Sequence, residues 1–494
     1  MTGEKANLSP NTPSDRLLNG GEIVLQALRD NGVEHIFGYP GAAVLPIYDE
    51  IFQQEDIKHF LVRHEQGAGH AAEGYARSTG RVGVMLVTSG PGVTNAVTAL
   101  QDALMDSIPI VCLSGQVPTN LIGMDAFQEC DTVGITRPCT KHNFLVNHID
   151  NLAKTIHRAF RIAAAGRPGP VLVDMPKDVL FASGTYVAPD KVALLPSYQP
   201  AMQGDQNAIR AAVALMAEAR RPIIYTGGGV INSGPEASRL LRELADLTGF
   251  PVTSTVMGLG AYPATGPNWL RVAGQNGSHE ANMAIGECDL MIAIGARFDD
   301  LAISRVHEFS PNSKKIQIDI DASSINKRVP VDIGIQGDAA HVLAYMIHAW
   351  RSLSTVPDQK RLRAWWTQID HSRTHHSFSY QRLDHAIMPQ HALERLHALT
   401  KPYDPIIATE IGHLSDEHPG MTREWGQVPD GSGRSRSYSA SLPDFTKLAE
   451  AYGAVGLHCE SPSELDARIE EMIDADRPVL FHCRLARLAD TLRQ

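Results

Sequence analysis

The sequence lacks the features that mark secreted, membrane-spanning and nucleic-acid-binding proteins. Its six cysteines are scattered with no C-x-x-C pair, which argues against a disulfide framework and against a metal site. No apolar run is long enough to span a bilayer, and residues 1–18 are polar, which predicts a disordered tail rather than a signal peptide. The net charge of −11 comes with no long basic run, which argues against nucleic acid as a partner. These absences predict a cytoplasmic protein with no membrane partner.

The chain has the length and composition of a soluble protein with several domains. Its 494 residues are 43% hydrophobic and 20% charged, enough for two to four domains with large cores. Apolar strands alternate with amphipathic helices along most of the chain, which predicts an α/β fold built on doubly wound parallel sheets. We expect a first domain over residues 19–190, a second over 205–350 and a third over 360–494. Few strands can be drawn in the third domain, which predicts that its sheet is truncated.

The stretch from residue 62 to residue 95 organises the first domain. An apolar strand ends near Val62, Glu65 opens a small-residue helix, and a second apolar strand runs into the turn Ser89-Gly90-Pro91-Gly92. In parallel sheets ligands bind at the carboxyl ends of strands, where Glu65 and residues 89–95 both fall. The simplest alternative for a single Glu at this position is a solvated residue favoured by the helix dipole.

Residues 118–141 form a second candidate feature, because this irregular span is longer than a connection needs. It contains Phe127-Gln128-Glu129, which predicts the wall of a binding pocket. An edge loop packed on a partner subunit is an equally simple interpretation.

The second domain carries glycines or acids at the end of each predicted strand. These clusters predict a nucleotide-type cofactor site, since glycines let backbone approach a diphosphate and an acid can accept ribose hydroxyls. The sequence has no G-x-G-x-x-G motif. Taken one at a time, each cluster could also be an ordinary turn that needs glycine. The four clusters lie at residues 227–229, 257–260, 295–300 and 319–321.

The sequence resembles a known enzyme family along most of its length. It is similar to the catalytic large subunit of acetolactate synthase, also called acetohydroxyacid synthase, among the thiamine diphosphate (ThDP) enzymes. The resemblance covers nearly all of residues 20–412 and 418–484. It implies three α/β domains, namely pyrimidine-binding, central FAD-binding-like and diphosphate-binding. The matching segments include FGYPGAAVLPIYD, VRHEQGAGHAAEGYARSTG, VTSGPGVTNAVTAL, DSIPIVCLSGQVP, DAFQECD, GRPGPVLVDMPKDV, TSTVMGLGAYP, CDLMIAIGARFDD, IDIDASSINK and LPDFTKLAEAYG.

The resemblance implies a role for Glu65 in catalysis. In the family this carboxyl group contacts the aminopyrimidine of ThDP across a dimer interface and favours the imino tautomer, whose nitrogen then acts as a base. The same comparison places four residues near this cofactor, namely Tyr39, Gly41, Pro91 and Asn95. It places four others at the substrate pocket, namely Phe127, Gln128, Lys177 and Trp425.

The resemblance also implies FAD, a reaction and partners. The implied reaction joins two pyruvates, or pyruvate and 2-oxobutanoate, with loss of carbon dioxide, and it opens isoleucine and valine biosynthesis. A homodimer or tetramer and a small regulatory subunit are the implied assemblies. The residues implied to bind FAD are Arg167, Gly227, Gly228, Gly277, Gly295, Arg297, Asp299, Asp319 and Asp338.

One departure from the family concerns magnesium. Family members carry a G-D-G motif and a downstream Asn-Asn whose side chains hold the Mg²⁺ that bridges the ThDP phosphates, and this sequence has neither. From Gly412 it passes almost directly to His418, so several dozen family residues and every expected metal ligand are absent. A diphosphate without a cation is costly to bury, so we expect no Mg-ThDP binding in the family manner. A catalytically impaired relative that acts as a binding or scaffold subunit is therefore the alternative. A ThDP enzyme with another substrate is disfavoured by the segments AFQE, PKDV and REW.

Overall fold

A computed structural model describes the chain as two compact units, residues 1–375 and 376–494. The residues whose structure is described are 17–192, 200–274, 277–299, 303, 306–353, 359–374, 380–403 and 444–485. The first unit holds two six-stranded sheets and the second holds a two-stranded sheet.

The first domain is built on a six-stranded sheet in the order β3-β2-β4-β5-β7-β6, and every neighbouring pair in it is parallel. Strands β4, β5 and β7 are buried along their whole length, because helices cover both faces of the sheet. A short antiparallel pair, β1 and β8, joins the ends of the domain. The strands are β1 Leu18–Asn19, β2 His35–Gly38, β3 Lys58–Leu61, β4 Gly83–Val87, β5 Ile110–Gln116, β6 His142–Leu145, β7 Val171–Pro176 and β8 Ser183–Gly184.

Two helices of the first domain show capping residues that are recognisable in the sequence. The side chain of Asn19 and that of Glu22 form a reciprocal capping box at the start of the first helix. The third helix stops at Gly80, which has a positive φ of 70°. The helices are α1 Gly20–Asp30, α2 Leu45–Phe52, α3 Glu65–Thr79, α4 Pro91–Asp106, α5 Thr132–Thr136, α6 Leu152–Ala164 and α7 Lys177–Phe181.

The second domain repeats the architecture with an all-parallel sheet in the order β11-β10-β9-β12-β13-β14. Its strands are β9 Pro222–Thr226, β10 Val252–Ser254, β11 Trp269–Val272, β12 Leu290–Ile294, β13 Lys314–Asp319 and β14 Ile333–Gln336. Its helices are α8 Gln206–Glu218, α9 Gly228–Asn232, α10 Pro235–Thr248, α11 His279–Glu287 and α12 Ala339–Arg351. Apolar side chains fill both faces of this sheet, so both sheets are doubly wound.

Helix α13, Gln359–Arg373, packs on the second domain. The indole of Trp365 is 2% exposed and donates to the carbonyl of Pro222, and Trp366 donates to the carbonyl of Gly249. The second compact unit consequently begins at His376, later than the expected start of the third domain at residue 360.

The second unit is small in its described part. Strands β15 Val455–Cys459 and β16 Val479–Cys483 pair in parallel, and helices α14 Pro389–Thr400, α15 Phe445–Ala451 and α16 Leu465–Ile473 complete it. Four fully buried side chains form its core, namely Ile387, Cys459, Leu465 and Ile469. The predicted strand at 405–409, the polar stretch at 412–438 and Trp425 lie outside the described residues.

Each six-stranded sheet has a point at which connections to neighbouring strands leave in opposite directions. In the first sheet the chain leaves β2 toward β3 and then returns to β4 on the other side, so the reversal lies between β2 and β4. In the second sheet it lies between β9 and β12. Such reversals open a crevice at the carboxyl ends of the strands, where ligands of doubly wound proteins bind. The two predicted cofactor sites fall at these two positions.

Candidate functional site

Glu65 begins helix α3 and is nearly buried, with 9% of its surface exposed. The side-chain amide of Asn95, on helix α4, donates a 2.9 Å hydrogen bond to Oε2 of Glu65. The solvated alternative for Glu65 is therefore wrong. The carboxylate is held in place between the ends of two strands and the starts of two helices.

Small residues leave room around the Glu65 carboxylate. A Cβ built on Gly92 would lie 3.7 Å from Oε1 of Glu65, so this oxygen faces a residue without a side chain. A Cβ on Gly41 would lie only 2.4 Å from Cβ of Thr88, which shows that the turn after β2 packs directly on the turn after β4. The sheet brings Tyr39, Gly41, Glu65, Pro91 and Asn95 together at its carboxyl edge, as the sequence predicts.

Helices α3 and α4 approach each other closely beside this edge. A Cβ on Gly69 would lie 2.3 Å from Cβ of Ala99, so the two backbones meet where one residue has no side chain. Alanines line the rest of the contact, including Ala72 and Ala103. This packing fixes the position of Glu65 relative to Asn95.

The predicted pocket residues of the long loop lie at the same sheet edge. Gln128 adopts a positive φ of 57°, and a Cβ on Gly90 would lie 2.6 Å from the Gln128 carbonyl oxygen. The loop therefore reaches the glycine turn after β4. Phe127 is 88% exposed within the single chain, and Lys177 lies at the end of β7 with its Nζ 5.9 Å from the ring centre of Phe181.

A second site is a cavity of about 820 Å³, including its open mouth, at the reversal point of the second sheet. The predicted residues that line it are Arg167, Gly228, Gly295, Arg297, Asp299, Asp319 and Asp338. Arg167 comes from the first domain, so both domains of the first unit contribute to the walls.

Two predicted residues lie beside this cavity rather than in its wall. A Cβ on Gly227 would lie 2.3 Å from the carbonyl oxygen of Gly295, so Gly227 is required for packing between two glycine turns. Gly277 packs similarly against the Val272 carbonyl, at 2.5 Å. Sequence reasoning did not assign several polar lining residues, namely Asp106, Ser107, Asn232, Ser233 and Thr255, although three of them lie in the matching segments DSIPIVCLSGQVP and TSTVMGLGAYP.

Charged groups of both signs surround the cavity. Arg167 forms an ion pair with Asp321 at 3.2 Å and donates from Nε to the Ser107 hydroxyl. Arg297 donates to the carbonyl of Met105. Burial is the main cause that raises the pKa of Asp319 to about 6. The charge of Asp321 also raises this pKa, whereas a hydrogen bond from the Asp321 backbone and the charges of Arg167 and Arg297 lower it. The cavity thus presents cationic groups suited to phosphates and acids suited to hydroxyl groups.

Family profiles match the chain in three consecutive segments. The N-terminal thiamine pyrophosphate (TPP, that is, ThDP) binding domain matches residues 18–135 and the TPP enzyme central domain matches residues 209–346. The C-terminal TPP binding domain matches residues 412–483. The chain therefore has the domain composition of the thiamine diphosphate enzymes.

Relatives with the same domains define the family more closely. The acetolactate synthase large subunit of Haemophilus influenzae is 38% identical over 540 aligned positions, which cover 94% of each chain. The isozyme 3 large subunit of Escherichia coli is 38% identical, with 93% of each chain covered. An acetolactate synthase of Mycobacterium avium is 45% identical over 94% of this chain and 87% of its own. This chain belongs to the acetolactate synthase large-subunit family of thiamine diphosphate enzymes.

The alignment to the Haemophilus influenzae protein also reveals a difference in length. Its 540 positions exceed the 494 residues of this chain, so part of the relative has no counterpart here. None of the helices among the described residues is long and apolar enough to cross a membrane.

Proposed function

We propose that this chain supplies the pyrimidine-binding and flavin-binding parts of an acetolactate synthase. The reaction joins two pyruvates, or pyruvate and 2-oxobutanoate, with loss of carbon dioxide. The observation that carries the proposal is the buried Glu65 carboxylate, held by Asn95 at the reversal point of the first sheet. Membership of the large-subunit family supports the same reaction.

The proposed role of Glu65 is to hold a proton at the aminopyrimidine ring of ThDP. When bound, ThDP supplies the nucleophilic carbon and the electron sink that decarboxylation of a 2-keto acid requires. Asn95 occupies Oε2 of the carboxylate, which leaves Oε1, beside Gly92, to face the ring. Tyr39, Gly41 and Pro91 would form the surrounding wall, and a second copy of the chain would close the site.

The substrate side is proposed to lie next to this site at the same sheet edge. Gln128 reaches the turn at Gly90, and Lys177 follows β7. Phe127 would become covered in a dimer, and Lys177 would offer a positive charge to the carboxylate of a 2-keto acid. Trp425 keeps its predicted part in selecting the second keto acid, and a small regulatory subunit remains a proposed partner.

FAD is the proposed occupant of the second cavity. Gly228 lines this cavity. A Cβ built on Gly228 would lie 3.3 Å from the Met257 carbonyl oxygen, so a side chain has little room at this point of the wall. Arg167 and Arg297 would neutralise the diphosphate, while Asp319 and Asp338 would accept hydroxyl groups. The residues present fit the group in charge.

The site for Mg²⁺ and the ThDP phosphates is the part that this sequence does not supply. It contains neither G-D-G nor Asn-Asn, and part of the aligned relative has no counterpart here. We therefore name no metal ligand and expect the isolated chain to form no acetolactate. This departure favours a second candidate function, a cofactor-poor relative that acts as a binding or scaffold subunit.

One experiment separates the two functions. The family segment that contains G-D-G and Asn-Asn, taken from the Escherichia coli isozyme 3 relative, is inserted between Gly412 and His418. We expect acetolactate from pyruvate, ThDP and Mg²⁺ only with the insert. A folded, inserted chain that binds ThDP but forms no product would favour the scaffold function. Product from the chain without the insert would show that no metal segment is missing.

A further inference from the structure

Three side chains of α3 and α4 meet away from the proposed cofactor sites. His70 and Glu73 lie one turn apart on α3, and Asp102 faces them from α4. The distance from His70 Nδ1 to Glu73 Oε2 is 3.0 Å, and from the same nitrogen to Asp102 Oδ2 it is 3.8 Å. One ligand-type atom from each residue lies within 4.8 Å of the others. Among the described residues, no other group of this composition is so compact.

These distances match the spacing of ligands around a small cation. A tetrahedral Zn²⁺ with bonds of about 2.1 Å holds its ligand atoms about 3.4 Å apart, between the two measured distances. One imidazole nitrogen with two carboxylates is a set that Zn²⁺ and related transition-metal ions accept, and water would complete it. Since His70 and Asp102 are exposed by 42% and 49%, a cation could enter from solvent.

A buried oxygen gives independent support for a ligand at this place. Only 5% of Glu73 is exposed, and its Oε1 is buried with no hydrogen-bond partner in the structure. Burying a carboxylate oxygen without a partner is costly, so natural proteins usually pair such atoms. A cation bound beside Glu73 would give this oxygen a partner.

The surroundings of His70 orient its ring toward the carboxylates. The side-chain amide nitrogen of Gln66 lies 3.3 Å from Nε2 of His70, on the side of the ring away from Glu73. A histidine that binds a metal through Nδ1 carries its proton on Nε2 and donates it, so Gln66 would turn its amide oxygen toward His70 to accept this proton and fix the ring. The close approach at Gly69 and Ala99 brings α4 near enough for Asp102 to take part.

We propose that His70, Glu73 and Asp102 bind a divalent transition-metal ion of the Zn²⁺ class. The ion would bridge the two helices that begin near Glu65 and Asn95. It lies between two other contacts of the same helices, the Asn95–Glu65 hydrogen bond and the Arg77–Asp106 ion pair of 2.5 Å. The ion would hold this helix pair together and take no part in the reaction.

Metal binding to the full chain tests the proposal directly. The chelator-treated protein is titrated with Co²⁺ by visible absorption and with Zn²⁺ by calorimetry. We expect one bound equivalent whose Co²⁺ spectrum lacks a thiolate charge-transfer band. His70→Asn and Asp102→Asn each remove a ligand from an exposed position, and each should weaken binding by about tenfold or more.

His148→Asn provides the matched control. His148 is an exposed histidine 3.3 Å from Asp150, and the described residues place no third ligand beside that pair. This variant should bind as tightly as the unmodified chain. Circular dichroism of each metal-free variant checks that it folds. Three results would overturn the proposal: no bound metal equivalent, a Co²⁺ spectrum with a thiolate band, or unchanged metal binding in both ligand variants. A proton shared by the side chains of Glu73 and Asp102 would then be the simplest occupant of this site.

Discussion

The side-chain amide of Asn95 donates a hydrogen bond of 2.9 Å to the Glu65 carboxylate, which joins the first residue of α3 to the fifth residue of α4. The bond occupies one carboxylate oxygen and leaves the other beside Gly92. A carboxyl group fixed in this way keeps one direction for interaction with a ligand, and no rearrangement is needed when the ligand arrives.

Because α3 and α4 pack closely, we expect one added methyl group between them to lower the stability of the protein. Gly69→Ala should lower the free energy of unfolding by about 1–3 kcal/mol, because its Cβ would overlap Cβ of Ala99. Ala99→Gly should restore part of this loss in the double variant, since it removes the overlapping atom. Urea unfolding of the two single variants and the double variant measures the coupling.

Gly74 is the control on the same helix. A Cβ on Gly74 meets nothing within 4 Å. Gly74→Ala should therefore raise the free energy of unfolding by about 0.5–1 kcal/mol, because alanine favours the helix more than glycine does. Equal effects at Gly69 and Gly74, or a double variant no better than Gly69→Ala, would contradict the packing described for these helices.

The second cavity predicts flavin binding that does not depend on ThDP. The chain should bind FAD in calorimetry without Mg²⁺ or ThDP. Gly228→Val should weaken that binding by about tenfold or more, because its side chain would crowd Met257 in the wall of the cavity. The matched control is Gly286→Val in the same domain, since a Cβ on Gly286 meets nothing within 4 Å. FAD binding unchanged by Gly228→Val would show that the flavin, if it binds, binds elsewhere.

Asp174 predicts a pH dependence of stability in the first domain. It is 1% exposed, and it accepts hydrogen bonds from Ser114 at 2.7 Å and from Gln116 at 3.0 Å. Burial raises its pKa from 3.8 to about 7. Between these two values the folded state keeps a proton that the unfolded state has released, so the free energy of unfolding falls as pH rises.

Asp174→Asn removes this titration. The free energy of unfolding of the variant, compared with that of the unmodified chain at the same pH, should therefore increase from pH 5 to pH 8. The change should be at most a few kcal/mol, at roughly 1.4 kcal/mol per unit of pKa difference. Urea unfolding at pH 5, 6, 7 and 8 measures it. Asp49→Asn, at an exposed aspartate of α2, should run parallel to the unmodified chain. A parallel curve for Asp174→Asn would mean that Asp174 is already ionised in the folded state.

The sequence predicts the α/β class well because the strands of the two large sheets are short apolar runs, several of which end at glycines. It also predicts which residues follow strands, and parallel strands then bring Gly41, Glu65 and Asn95 to one edge. It could not predict the edge strand β6 or the packing of α13, since His142–Leu145 is only half-buried and Trp365 contacts a strand more than a hundred residues away. Nor could it reveal the metal-type cluster, because Asp102 lies far from His70 in sequence and no motif marks the pair.

The measurement that tests the account most directly is acetolactate formation by the chain that carries the family segment between Gly412 and His418, with and without Glu65→Gln. The account predicts ThDP-dependent product with the insert and a loss of about 100-fold or more in kcat for Glu65→Gln, with the folded structure retained. Equal rates with Glu and Gln at residue 65 would contradict the central role given to this carboxylate.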